Sequence, residues 1–160
     1  MWHEIRDNQD AKALMTVVGG FHDSCVKEIH YISGACVLGD LGMWPLNSRR
    51  SLRVLIQRQF EENSVVELEF LGLKYLHLRP VTEDYTCELL DATLVWKNGD
   101  IYWCDCGVPE EKLTDHDGTL ICAAGLRWRP IDHGLGQEDF YTAREPENAR
   151  SRRINHMLPL

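Results

Sequence analysis

Two short clusters carry the side chains whose types and spacing suit chemistry. Phe21-His22-Asp23-Ser24-Cys25 places an imidazole, a carboxylate, a hydroxyl and a thiol in consecutive positions. An imidazole oriented by a carboxylate is half of an acid–base pair, and it is equally a ligand contact. A plainer reading stands beside it: His22 and Asp23 cap the turn from helix to strand, while Phe21 and Cys25 pack. In an extended segment neighbouring side chains point to opposite faces, which weighs against a direct His22–Asp23 pair.

Cys104-Asp105-Cys106 is the second cluster. Thiols two residues apart on a strand share a face, so they could ligate a soft metal or form a redox pair. The spacing is not that of the C-x2-C zinc knuckle, and a disulfide between positions i and i+2 would be strained. Buried, reduced thiols are the plainer reading. Cys104 and Cys106 are the candidate metal ligands in a chain otherwise expected to hold no metal and no cofactor. A nucleophilic Cys25 or Cys122 with a distant histidine has no local mark. The seven histidines are dispersed without H-x-H or H-x-x-x-H spacing. The phosphate-binding glycine loops and the G-x-S-x-G elbow are absent from the sequence.

The elements that must position these clusters are mainly strands. Leu52–Cys106 reads as four strands joined by short turns. Asn98-Gly99 favours a two-residue type I′ turn, because both residues tolerate positive φ. That turn sets the register: Lys97 opposite Asp100, Trp96 opposite Ile101, Val95 opposite Tyr102, Leu94 opposite Trp103, Thr93 opposite Cys104. Leu90, Ala92, Leu94, Trp96, Ile101 and Trp103 then share one apolar face. Leu52–Phe60 and Val65–Arg79 also alternate, with Glu67 and Glu69 on the polar face and a bulge or bend expected near Gly72. The linkers 61–64 and 80–84 are short enough for antiparallel neighbours. A helix is expected over Asp7–Val18, capped by Asp7 and stopped by Gly19-Gly20. Val26–Ile32 and Thr119–Trp128 read as further strands, the latter with Leu120, Cys122, Ala124, Leu126 and Trp128 on its apolar face. Asp115-His116-Asp117-Gly118 reads as a turn, and Pro109-Glu110-Glu111 opens a short helical turn. The fold class is therefore α+β: one twisted antiparallel sheet, a meander curling toward a barrel or a sandwich, with an N-terminal helix packed on it. Residues 1–160 form one domain, with a loosely ordered tail over 134–160.

Composition bounds the partners. A formal net charge of −8 argues against general nucleic-acid binding, which needs a positive field. It leaves room for a basic protein partner, whose association this field would speed. The chain has no apolar run long enough for a membrane helix and no secretory signal, so the expected location is the cytoplasm and the six cysteines are expected to be reduced. Met43-Trp44-Pro45-Leu46 is an apolar patch in a loop; it either meets a partner or a second subunit, or folds back over the sheet.

Phe21–Cys25 ahead of an early strand, Leu52-Arg53-Val54 and Glu67-Leu68-Glu69-Phe70 together resemble small β-rich bacterial proteins of unassigned function. Some of these serve as immunity proteins beside contact-dependent toxins. The resemblance spans about residues 20–105. It implies a binding role and transfers no catalytic residue.

The first functional expectation is thus a non-catalytic cytoplasmic interaction module, with His22, Asp23 and Trp44 as ligand or partner contacts and an immunity-type inhibitor as one form of it. The alternative is a small-molecule or metal-binding enzyme that uses His22, Asp23, Cys104 and Cys106 in one pocket. A homodimer built on an edge strand or on Trp44 is the third.

Overall fold

The computed structural model describes residues 1–142. Strand β1 (His3–Ile5) precedes helix α1 (Asn8–Val17), and a 3-10 turn at Gly19–Phe21 leads to β2 (Ser24–Ile32). A small hairpin of β3 (Cys36–Val37) and β4 (Met43–Trp44) follows. Then come β5 (Ser51–Arg58), β6 (Val65–His77), β7 (Thr93–Lys97), β8 (Asp100–Cys104) and β9 (Leu120–Pro130), with a 3-10 turn at Glu110–Lys112 before the last. The main sheet is seven-stranded and antiparallel, in the order β2-β5-β6-β9-β8-β7, with β1 also paired to β9.

Helix α1 forms where the apolar spacing places it. The Asp7 carboxylate accepts hydrogen bonds from the backbone N–H of Gln9 (2.8 Å) and Asp10 (2.9 Å), satisfying donors that a helix start leaves free. Ala11 and Leu14 are buried against the sheet, with Val18 just past the helix end. Gly19 and Gly20 both take positive φ, which lets the chain reverse. The Asn8 side-chain amide pairs with both backbone groups of Trp96, at 2.9 and 2.7 Å. It thereby occupies part of the edge that β7 would otherwise leave open.

The Asn98-Gly99 hairpin has the expected register at all five pairs from Lys97–Asp100 to Thr93–Cys104. The simple meander does not hold. β9 lies between β6 and β8, so β6 and β7 are not neighbours. This pairing joins charges and apolar residues alike: Glu67 lies opposite Arg129, Glu69 opposite Arg127, Leu68 opposite Trp128 and Phe70 opposite Leu126. The stretch before Thr93 is not strand. Pro80–Ala92 crosses the surface and is tied to β2 by a bridge between Ser24 and Leu89. In it Leu89 is buried and Leu90 exposed, the reverse of the expected phase. In β9 the alternation breaks at Ala124–Gly125. Ile121 and Ala123 face the main core, as do Leu126 and Trp128 after the break, whereas Ala124 is exposed. The cause sits across the ladder: Gly72 on β6 takes φ +61, and a β-carbon there would lie 3.1 Å from that of Ala124. The register shift follows between Leu73 and Tyr75.

The main core fills one sheet face with Leu52, Val54, Ile56, Leu68, Phe70, Ile101 and Trp103, closed by α1 and Phe21. Cys104, Leu113 and Leu120 form a separate small cluster on the other side of β8. Of the tail, residues 134–142 lie against the sheet. The Gln57 amide donates to the carbonyls of Gly134 and Gly136, and the N–H groups of Phe140 and Tyr141 donate to the Glu28 carboxylate. The rest of the tail, with Arg144, Arg150, Arg152 and Arg153, lies outside the described residues.

Candidate functional site

His22 and Asp23 do meet: Nδ1 of His22 lies 2.9 Å from Oδ1 of Asp23. The expectation that they would diverge fails because neither is in a strand. Asp23 takes φ +54, and β2 begins only at Ser24. Both side chains are substantially exposed. Phe21 beside them is fully buried, edge-on to Trp103 at 6.3 Å. Burial, with Cys87 adding to it, pushes the Cys25 thiol up, so it is a poor nucleophile at neutral pH.

Cys104 and Cys106 also meet, and a residue read only as part of a turn joins them. The sulfurs of Cys104 and Cys106 and a ring nitrogen of His116 lie within 4.8 Å of one another. β8 supplies Cys104, and the chain bends just after it to bring Cys106 back. The loop from Cys106 to Gly118 returns His116. Its ends are tied: the Thr119 N–H donates to Asp105 Oδ1 at 3.0 Å and the Asp105 N–H to the Thr119 carbonyl at 3.3 Å. Burial, then Cys104 and Asp105, push the Cys106 thiol up to about 12. A C-x-C pair with a histidine ten residues on was the signal available in the sequence.

The two clusters do not form one concave site. Asp23 lines a cleft with Cys25, Gln57 and Leu135, whereas Cys106 lines another with Tyr85, Asp117 and Gly118. Trp103, against which Phe21 packs, and Cys104 alternate on β8 and point to opposite faces. The enzyme that would use both clusters together finds no geometric support.

The polar face of the sheet carries buried charge. Glu67 and Glu69 are buried at 0% and 2% exposure. Arg129 bonds Glu67 through Nε at 2.7 Å and Nη2 at 2.6 Å; Arg127 bonds Glu69 at 2.6 and 2.5 Å. In each pair both guanidinium nitrogens converge on a single carboxylate oxygen, Oε2, and the bonds are charge-assisted. Ser51 and Arg53 add bonds to Glu69 at 2.9 and 3.3 Å, and the Tyr141 hydroxyl donates to Glu67 at 2.9 Å. Trp2 lies over both Arg127 and Arg129, about 4.6 and 4.4 Å from the ring. The alternation of acids with leucine and phenylalanine marks which face they take, but not that Trp2 and the 140–141 segment cover it.

Trp44 sits on the β3–β4 hairpin with Val37, Leu38, Leu41, Met43 and Leu46 exposed around it. The patch therefore does not fold back over the sheet. Pro80–Asp91 is the second exposed surface. Comparison with protein-family models, with curated proteins and with solved structures finds no match. Among the described residues, no helix is long and apolar enough to cross a membrane.

Proposed function

We propose that this chain is a non-catalytic interaction module of the cytoplasm that holds a basic protein partner. An immunity-type inhibitor is one such module; the resemblance itself implies a binding role. The observation that carries the reading is the composition and exposure of the Pro80–Asp91 segment. Tyr85, Leu90 and Val81 are 75%, 65% and 53% exposed there, and Leu78 extends the patch. Glu83, Asp84, Glu88 and Asp91 are the charged residues of this segment, which has no Lys or Arg; Arg79, just before it, pairs with Asp117. An exposed aromatic in an acidic segment gives a protein surface contact area together with selectivity for an oppositely charged partner. A cleft of about 270 Å³ opens beside it, lined by Val26, Ile29, Val81 and Leu89. It has room for an apolar side chain of the partner. The chain's net charge of −8 acts in the same direction at longer range.

The partner that co-purifies with the tagged chain is expected to be basic. Glu83→Lys combined with Asp84→Lys is expected to lower its association rate by about tenfold or more at low ionic strength. The wild-type rate should fall steeply with added salt, and that of the double variant should not. A neutral or acidic partner, or a rate unchanged by the reversal, contradicts the reading. The β3–β4 hairpin favours a second occupant, another copy of this chain. Leu41 and Met43 are 84% and 67% exposed on it, and only Asp40 carries charge between Cys36 and Leu46.

A further inference from the structure

We infer that Cys104, Cys106 and His116 form a site for one zinc-type divalent ion, with the fourth coordination position open to water or an outside donor. This goes beyond the interaction role and beyond the expectation of no metal.

Three observations carry it. The donor atoms already lie within 4.8 Å of one another, within small adjustments of the separations that a tetrahedral ion requires. The His116 ring is set for ligation. Its Nδ1 lies 2.7 Å from the Leu113 carbonyl, which can only accept, so Nδ1 carries the proton and Nε2 presents its lone pair. A ligand histidine whose other nitrogen bonds a backbone carbonyl is the ordinary outer-shell arrangement around zinc. Finally, Nε2 is buried and has no hydrogen-bond partner among the described residues. Buried thiols need no ion to explain them, but a buried ring nitrogen without a partner is costly. An ion accepting that lone pair removes the cost.

The donor set selects the metal class. Two thiolates and a neutral imidazole suit zinc and its soft or borderline relatives, and suit magnesium and calcium poorly. Two thiolates also match the charge of a divalent cation. Room is fixed by Gly118. A β-carbon there would lie 2.5 Å from Asp105 Oδ1, 3.1 Å from His116 Cδ2 and 3.2 Å from His116 Nε2. The glycine lets the loop close on the ring.

The test uses the full chain, reduced and stripped with a chelator, then titrated with Zn(II) against a chromophoric competitor and separately with Co(II). The expected result is one ion per chain. Its cobalt form should show a thiolate-to-metal charge-transfer band and the intense visible bands of a tetrahedral site. Cys106→Ser and His116→Gln are each expected to weaken binding more than about 100-fold, beyond the usual loss of an outer-shell partner. Cys36→Ser with Cys87→Ser, which removes exposed thiols, should leave it unchanged. Gly118→Ala keeps every donor but crowds the ring, and a loss of roughly 10- to 100-fold is expected. Circular dichroism reports folding of each variant. If a ligand variant does not fold, the wild-type cobalt spectrum and Gly118→Ala decide. The inference is overturned if the folded wild type binds no stoichiometric ion, if its cobalt form is octahedral without the charge-transfer band, or if binding survives Cys106→Ser and vanishes with the exposed pair.

Discussion

Trp103→Ala is expected to destabilise the fold by about 3–5 kcal/mol, the range for truncating a large buried aromatic. Trp103 is 1% exposed and among the largest wholly buried side chains. It joins the two halves of the molecule, because it pairs opposite Leu94 and Ile121 while Phe21, beyond α1, packs edge-on against it. Removing it takes support from β7, β9 and the turn after α1 together. For a chain of this length the loss corresponds to a fall in melting temperature of roughly 6–20 °C. The indole N–H has no partner in the core, so the loss is one of packing and not of a hydrogen bond. Trp103→Phe keeps an aromatic ring and removes the unpaired donor, which offsets part of the cavity it leaves, and it should cost about 1–2 kcal/mol. Thermal and denaturant unfolding of the two variants measures the difference. Equal costs would show that the hydrogen bond, and not the packing, had been misjudged.

Glu69→Ala is expected to cost on the order of 3 kcal/mol, the lower end of the range for breaking a buried ion pair. The lower end applies because Arg127 and Arg53 keep 32% and 28% of their side-chain exposure and can turn to water. The pH dependence separates charge from packing. Burial alone would raise the Glu69 carboxyl, but hydrogen bonds from Arg127 and Ser51 and the charges of Arg53 and Arg127 outweigh it, so the carboxyl is held below its ordinary range. A group depressed in the folded state contributes stability above its unfolded pKa and loses it as pH falls through its folded value. The difference between wild type and Glu69→Gln should therefore be full near neutral pH, about 2 kcal/mol. It should shrink as the pH drops below about 4. A difference independent of pH would mean that the carboxylate charge contributes nothing.

The parts legible in the sequence were those that local rules fix. The Asn98-Gly99 turn determines its own register because few backbone conformations close a two-residue loop, and all five pairs follow it. Helix α1 and its Asp7 cap are equally local. The insertion of β9 was not legible, because strand order depends on pairings across more than fifty residues, here Glu67 with Arg129 and Glu69 with Arg127. The phase of Leu89 and Leu90 was lost for a related reason. Alternation was extended into a segment that leaves the sheet before Ala92. In the candidate sites, Cys104 and Cys106 were visible as a pair, but His116 reaches them only through the loop that Asp105 and Thr119 close. The acidic character of residues 83–91 is readable in the sequence, but the exposure of Tyr85 and Leu90 is not, because alternation alone places them in a strand running to Lys97.

Site-specific photo-crosslinking tests the central claim most directly. A photoreactive phenylalanine derivative replaces Tyr85 in one form of the chain, Trp44 in a second and Lys12, on exposed α1, in a third, each expressed in the native host and irradiated. The account predicts one dominant adduct from position 85, containing a basic protein and weakened by Glu83→Lys with Asp84→Lys. An adduct of the chain with itself from position 44 would assign the hairpin to self-association. No adduct at position 85, or the same adducts at 85 and 12, would contradict the claim that the Pro80–Asp91 surface holds a partner.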